Sequence, residues 1–390
     1  MLFTLPSVTI EEKRALDHID ALRQDLQYYT GTPRRWTGTL RRLSFARALQ
    51  GSNTIEGYNV SVEDAVAIAD DEEPLDANVE TRRAVAGYRS AMTYVLQTPS
   101  DTTFSYGDAL IKSMHFMMIQ HDLSKHPGQW RMGPVFVKND ERGEIVYEGA
   151  PGDQVAGLMR ELVAWLNEGD LDAHVLLRAA MAHLNLVMVH PFSDGNGRMG
   201  RCLQTLVLAR KGILSPEFSS VEEYLGRNQQ AYYDVLAEVG AGAWHPERDA
   251  RPWIRFMLLA HYRQATTLLR RMREIETRCD IIQEEMTEHG LPDRVLSVLL
   301  DATAGFKVRN ATYRSAEDIQ EYLAGRDLKG LVTVGLLTPH GEKRGRYYLA
   351  TRELMEKCKK ARQPRTEIDP FEPTPTPPPA IPSRAQLRLY

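Results

Sequence analysis

The sequence predicts a mainly α-helical protein with one β-hairpin in its middle and a short helix-then-hairpin module towards its end. Three observations lead there. Apolar residues recur at helical spacing along most of the chain, as at Leu16, Ile19, Leu22 and Leu26. Two β-rich runs, Val135-Phe136-Val137 and Ile145-Val146-Tyr147, flank turn-forming Asn139-Asp140 and Gly143. Beyond residue 291 the helices shorten, and a second pair of β-rich runs surrounds Gly341-Glu342.

The elements follow in order. Residues 11–30 make a first amphipathic helix, and Leu40 to Leu49 a second, with Gly51 as its expected C-terminal cap. Ser61 opens a third, because Ser61-Val62-Glu63-Asp64 resembles a capping box with Asp in place of the usual Glu. Helices are expected around 77–97 and 106–120. The first hairpin occupies 127–151, punctuated by Pro127-Gly128 and Ala150-Pro151-Gly152. Helices resume at 153–168, 172–189, 197–211, 221–238 and 251–288. Pro292 opens a short helix from Arg294 to Ala302, more helix lies between Ser315 and Val334, and Leu336 to Leu349 forms the second hairpin. Helices followed by a β-wing look like a winged-helix module. From about Gln363 the chain holds Thr374-Pro375-Thr376-Pro377-Pro378-Pro379 and little to bury, which reads as a disordered Pro-rich tail. The expected organisation is 1–105 as an N-terminal helical region, 106–290 as a core, 291–362 as the winged-helix domain and 363–390 as the tail.

Composition narrows the function classes. With 43% hydrophobic and 26% charged residues, the 390-residue chain matches an ordinary soluble globular protein. A net charge of −4 argues against a surface built wholly for nucleic acid. Three scattered cysteines give neither a metal spacing nor a disulfide framework and fit a reducing compartment. Met1 to Pro6 lacks the basic start and apolar run of a signal peptide, and no run elsewhere is long enough to cross a bilayer. The expectation is a cytoplasmic protein without a membrane partner.

One segment carries chemistry. Residues 190–201 read His190-Pro191-Phe192-Ser193-Asp194-Gly195-Asn196-Gly197-Arg198-Met199-Gly200-Arg201. An apolar helix ends at His190, since proline disfavours helix in the residue before it. A glycine loop then feeds a new helix, whose free N–H groups and dipole make an anion cradle. Arg198 and Arg201 lie three apart on one face of that helix and can fork onto phosphate oxygens. Asp194 can hold Mg²⁺ between phosphates, and His190 can take a proton from an attacking hydroxyl. Together they form a phosphoryl-transfer constellation.

The same residues resemble the Fic-family signature, His-Pro-Phe-x-(Asp/Glu)-Gly-Asn-Gly-Arg-x-x-Arg, at every specified position. The resemblance implies a Fic-type helical bundle with a small β-hairpin flap, and a protein adenylyltransferase that moves AMP from Mg·ATP onto a Ser, Thr or Tyr hydroxyl of a target protein. It implies His190 as the base, Asp194 as the Mg²⁺ ligand, Gly195, Asn196 and Gly197 as the anion hole, and Arg198 with Arg201 on the β- and γ-phosphates. Ser52-Asn53-Thr54-Ile55-Glu56-Gly57 is similar to the family's inhibitory pattern, (Ser/Thr)-x-x-x-Glu-(Gly/Asn). A glutamate paired with Arg201 would occupy the place the γ-phosphate needs.

Further assignments rest on position. The 133–149 hairpin sits where the family places its flap, which registers the target by strand addition. Tyr232 and Tyr233 fall where the family carries adenine-side tyrosines; two tyrosines packing a helix would look the same. Val239-Gly240 stand where some relatives carry an asparagine. His183, seven residues before His190, reads as a packed histidine. The family also suggests a homodimer. Over 293–350, nine Lys/Arg against seven Asp/Glu is less basic than a DNA reader, although Lys343, Arg344 and Arg346 leave nucleic-acid contact open. Two alternatives therefore stand beside AMP transfer: AMP removal with Glu56 positioning water, and a DNA-binding regulator that uses its C-terminal module.

Overall fold

The computed structural model describes the chain except residues 32–35, 72–73, 75, 139–143, 212–217, 219, 343–344, 366–367 and 374–390. In chain order its elements are α1 (Ile10–Gly31), α2 (Thr37–Ile55), α3 (Val62–Ala69), α4 (Val79–Gln97), α5 (Asp108–Ile119), β1 (Phe136–Lys138), β2 (Ile145–Glu148), α6 (Gly152–Glu168), α7 (Val175–Val189) and α8 (Asn196–Arg210). Then come α9 (Glu222–Arg227), α10 (Gln229–Gly240), α11 (Arg251–Glu288), α12 (Leu296–Ala304), α13 (Asn310–Glu317), α14 (Glu321–Thr333), β3 (Leu337–His340), β4 (Tyr347–Ala350) and α15 (Arg352–Lys359). The fold is mainly helical, as the periodicity predicts. Among the described residues no helix is long and apolar enough to cross a membrane.

Helix α7 is the spine. Its sequence is apolar on nearly every side, and every one of its residues is buried, the pattern of a helix enclosed by others. Helices α6, α8 and α11 surround it. Gly200 on α8 allows the closest approach: a β-carbon there would lie 2.6 Å from Val187 Cγ2 and 2.7 Å from His183 Cδ2. Trp253 on α11 closes another side, donating from its indole to Ala180 O at 2.8 Å.

Among the described residues two hydrophobic cores result. The first gathers α7 and α8 with inward faces of α1, α4, α5, α6 and α10, and with the start of α11. The second joins the far half of α11 to α12–α15 and the β3–β4 hairpin. Helix α11, about 57 Å long at 1.5 Å per residue, belongs to both. So does α2, which places Leu40 in the second core and Leu49 and Ile55 in the first. In the C-terminal module β3 and β4 pair antiparallel, and Val308 adds a bridge to Tyr348.

Polar contacts fix α2 along its length. Near its start Thr39 Oγ1 donates to Asp301 Oδ1 at 3.1 Å, and Arg42 also donates to Asp301 on α12. In its middle Arg47 meets Glu223, which Arg271 of α11 grips with two bonds of 2.6 Å. Burial works against the Glu223 charge, but Arg271, Arg47 and Arg227 hold its pKa down to about 2.

Four expectations change. Helix α2 does not stop at Gly51 but continues to Ile55, because Gly51 is a crossing point: its β-carbon would lie 2.2 Å from Glu222 O, and that of Gly226 would lie 2.6 Å from Gly51 Cα. The helix ends instead before Gly57, at φ +82°, where glycine avoids the left-handed penalty. The helix expected over 221–238 breaks at Asn228, whose side chain takes the Tyr224 carbonyl at 2.8 Å, the local competition typical of asparagine. The helix expected between Ser315 and Val334 is broken by Asp318 at φ +49°. Finally, part of the expected tail is seated: Arg14 donates to Phe371 O at 2.7 Å, and Arg255 stacks 4.2 Å above the Phe371 ring. The first hairpin's turn residues 139–143, the wing residues Lys343 and Arg344, and 374–390 lie outside the described residues.

Candidate active site

The chain leaves α7 through His190, whose backbone is left-handed at φ +54°. Its amide still closes the helix on Leu186 O at 3.0 Å. The ring turns Nδ1 to Val187 O at 3.0 Å. A carbonyl only accepts, so Nδ1 carries the proton and Nε2 keeps a free lone pair. The ring is partly exposed, yet its surroundings withhold enough water to push its pKa down to about 4, with Arg131 adding to the effect. His190 is therefore a neutral imidazole at pH 7.

The glycine loop is pinned from within. The Asn196 amide accepts from Phe192 N and donates to Phe192 O, both at 2.9 Å. Phe192 stacks on His115 at 3.6 Å between ring centres and 4° between planes. His115 accepts Gly128 N–H on Nδ1 at 2.9 Å and gives Nε2–H to Asp194 O at 3.0 Å. Gly195 is left-handed at φ +74°, and a β-carbon there would meet Ile119 Cδ1 at 2.8 Å. Asp194 stays partly exposed; Oδ1 accepts Gly195 N–H at 2.7 Å, and Lys125 Nζ lies 4.0 Å from Oδ2.

Behind the loop sit two arginines, Arg198 at 1% and Arg201 at 2% exposure. Arg201 donates from Nε to Ser52 Oγ at 2.8 Å, and from Nη2 to Ser52 O at 2.9 Å and Glu56 Oε1 at 2.6 Å. Burial opposes its charge, but Glu56, Tyr232 and Tyr88 outweigh that and raise its pKa. Arg201 Nη1 and Arg198 Nε and Nη1 are buried without a hydrogen-bond partner among the described residues. Arg198 instead lies 5.2 Å from the centre of the Tyr58 ring. Buried polar groups are nearly always paired, and an unpaired buried cation costs several kcal/mol. Three orphaned guanidinium nitrogens beside a glycine loop thus describe a place for an anion.

Residues 106–208 match the Fic/DOC family. This segment is a Fic domain. Over 240 residues the chain is 28% identical to "Protein adenylyltransferase Fic" of Aedes aegypti, covering 61% of this chain and 44% of that protein. Over 205 residues it is 30% identical to the protein of the same name from Culex quinquefasciatus, covering 52% of this chain and 37% of the other. The chain thus spans less than half the length of these curated relatives. Among solved structures, a Fic family protein from Desulfovibrio desulfuricans G20 superposes with a TM-score of 0.57 at 22% identity, covering 89% of this chain and 98% of that one. That likeness speaks for the fold.

Around the Fic signature, Ser52, Glu56, His190, Asp194, Gly195, Asn196, Gly197, Arg198 and Arg201 come together. The tyrosines divide. Tyr232 is buried, and its hydroxyl meets His183 Nε2 at 3.0 Å while its ring lies 6.0 Å from the Arg201 guanidinium. It supports Arg201 from behind and offers no open face. Tyr233 is 40% exposed and donates to Ile55 O at 2.8 Å, next to Glu56. His183 is packed as expected, bonded also to Gln204 Oε1 at 2.7 Å.

Sequence reasoning missed Arg131, His115, Tyr58 and Tyr147. Arg131 donates from Nε to His190 O and from Nη1 to Gly133 O, each at 2.6 Å, and from Nη2 to Ala150 O and Val189 O. Tyr147, on the hairpin that pairs Val137 with Tyr147, donates to Met188 O at 2.7 Å. No spacing rule flags a lone arginine or tyrosine on a hairpin. Only Tyr58, one residue beyond Glu56-Gly57, stood next to a recognised pattern.

Proposed function

We propose that the protein transfers AMP from Mg·ATP to a hydroxyl of a target protein, and that Glu56 holds this reaction off. The observation that carries the reading is the pair of buried arginines. Three of their nitrogens lack an acceptor among the described residues, and the one carboxylate that the 52–57 segment brings to Arg201, that of Glu56, places Oε1 in front of Gly197. A triphosphate is the ligand class that answers all of these donors at once. Both curated relatives reported above bear the name protein adenylyltransferase.

In this reading the triphosphate runs along the glycine loop, with Arg198 and Arg201 on its terminal phosphates. Mg²⁺ fits the donor set, because one partly exposed carboxylate, Asp194, suits an ion that takes its remaining ligands from phosphates and water. The ion would neutralise charge on the phosphates next to the bond that breaks. His190 Nε2 removes the proton of the acceptor hydroxyl as its oxygen bonds the α-phosphorus. The bond from that phosphorus to the α–β bridging oxygen breaks, and pyrophosphate leaves. General-base help of this kind is worth roughly 10²–10⁴-fold. Glu56 opposes the reaction by neutralising Arg201 and filling the space of a terminal phosphate. Tyr233 is the aromatic available to the base of the nucleotide, and Tyr232 a support for Arg201.

The test is intact mass and pyrophosphate release after incubation with Mg·ATP. Glu56→Gly should gain AMP and release pyrophosphate, wild type should do so weakly, and Glu56→Gly with His190→Ala should do neither. No pyrophosphate from Glu56→Gly with any protein acceptor would sink the transfer reading. Loss of AMP from a pre-modified protein, dependent on both His190 and Glu56, would redirect it to AMP removal.

A further inference from the structure

The end of α7 and the root of the β1–β2 hairpin come from parts of the chain some 60 residues apart, and the Arg131 side chain joins them. Arg131 is 8% exposed and spends its guanidinium on four carbonyls. Two of these, Val189 O and His190 O, are carbonyls at the end of α7, which have no partner within the helix. The other two, Gly133 O and Ala150 O, bracket the hairpin on its two sides. The backbone of Arg131 closes the same corner, its N–H donating to Pro191 O at 2.9 Å. Gly149 then packs directly on the joint: a β-carbon there would lie 2.9 Å from both Arg131 Nη2 and His190 Cβ. Tyr147 adds a second strap, to Met188 O.

An ordinary buried arginine offsets its charge with a carboxylate, and among the described residues Arg131 has none as a hydrogen-bond partner. It uses the planar fork that only arginine has to hold carbonyls in fixed relative positions. The hairpin above it exposes Phe136, Ile145 and Val146, a surface suited to an extended segment of another protein. The acceptor hydroxyl is delivered by one part of the chain and deprotonated by another. Misplacing reacting groups by about 1 Å can cost on the order of 100-fold.

We propose that Arg131 is a positioning residue that locks the β1–β2 hairpin to His190, so that the surface holding the acceptor and the imidazole taking its proton keep one geometry. The proposal rests on the transfer reading above, with the hairpin as the acceptor's seat.

The experiment uses the full-length chain in the Glu56→Gly background, comparing Arg131→Lys with its parent. Lysine keeps the charge but cannot reach four carbonyls at once. Arg131→Lys should lower kcat at least about 10-fold while KM for ATP stays within about twofold, since the phosphate contacts are untouched. Amide hydrogen exchange should rise together at the hairpin root and at residues 187–191. Tyr147→Phe should show the same pattern at smaller size. If Arg131→Lys does not fold, Gly149→Ala pushes the same joint apart and should reproduce the loss of kcat. A lysine variant with the parent's kcat, or one whose exchange rises only at the hairpin, would overturn the proposal. A parent that transfers no AMP would instead sink the transfer reading, and the exchange comparison would still decide whether Arg131 couples the two segments.

Discussion

Glu56 Oε1 lies 2.6 Å from Arg201 Nη2 and 2.4 Å from where a β-carbon on Gly197 would stand, so the Glu56 carboxylate occupies room that only glycine leaves. The contact is a charge-assisted bond to a fully buried guanidinium, of the kind worth about 1.5–3 kcal/mol. Releasing it should raise AMP transfer by about 10- to 100-fold in Glu56→Gly. Glu56→Gln, which keeps an acceptor but loses the charge, should fall between. Pyrophosphate release at fixed Mg·ATP checks both, and a Glu56→Gln rate equal to wild type would show that shape rather than charge blocks the site.

Tyr58 covers the second arginine. Its ring lies 5.2 Å from Arg198, a cation–π contact of about 0.5–2 kcal/mol that a phosphate must replace. In the Glu56→Gly background, Tyr58→Ala should therefore tighten ATP binding by about 2- to 30-fold. Calorimetry with a non-hydrolysable ATP analogue reads this directly. Weaker binding would mean that the ring props Arg198 in place rather than competing for it.

Helix α2 carries Ser52 and Glu56, and its seat against α9 depends on Gly51. The β-carbon of Gly51→Ala would fall 2.2 Å from Glu222 O, and a backbone oxygen cannot swing aside. Overpacking of this kind costs about 1–3 kcal/mol, so the melting temperature should fall. Because the shift moves α2, basal AMP transfer should rise as well. Gly38→Ala on the same helix meets nothing within 4 Å and should leave basal transfer unchanged without lowering the melting temperature. A lower melting temperature without added activity would show that Glu56 keeps its place when α2 shifts.

The run from His190 to Arg201 was legible because its chemistry is contiguous: a helix ended by proline, a glycine loop and two arginines on one turn. The long helices were legible for the same local reason, and α11 matches its expected limits, 251–288. What failed depends on partners distant in sequence. Gly51 has the look of a cap, and only the crossing with α9 reveals it as a packing glycine. Tyr232 and Tyr233 are adjacent and chemically identical, yet the turn of α10 sends one under Arg201 and the other towards the surface. Phe371 belongs to a polar, proline-rich stretch that reads as tail, and its seat on Arg255 and Arg14 is set by α1 and α11. Arg131 carries no local signal at all, since its four acceptors are backbone atoms that any sequence supplies.

Buried histidines should make the fold acid-sensitive within a defined window. His183, between Gln204 and Tyr232, has its pKa pushed down to about 3 by burial, with Arg201 adding to the effect. His261, fully buried on α11, is lowered well below the ordinary value by burial and by Arg23. In the unfolded chain both titrate near 6.5. Between that value and their folded values the unfolded state binds more protons than the native state, so stability rises with pH across the window. The stability is fully present above about pH 6.5 and is lost as the pH falls towards the folded pKa values. At pH 5 a single such histidine costs about 2 kcal/mol, at about 1.4 kcal/mol per pH unit. Urea unfolding at pH 7 and pH 5 should therefore show a marked drop in stability for wild type. His183→Gln, with no proton to bind in this range, should lose about 2 kcal/mol less between the two pH values, even if it starts less stable at pH 7. An equal drop in both proteins would mean that His183 is not held neutral in the folded state, and the acid sensitivity would have to come from other groups.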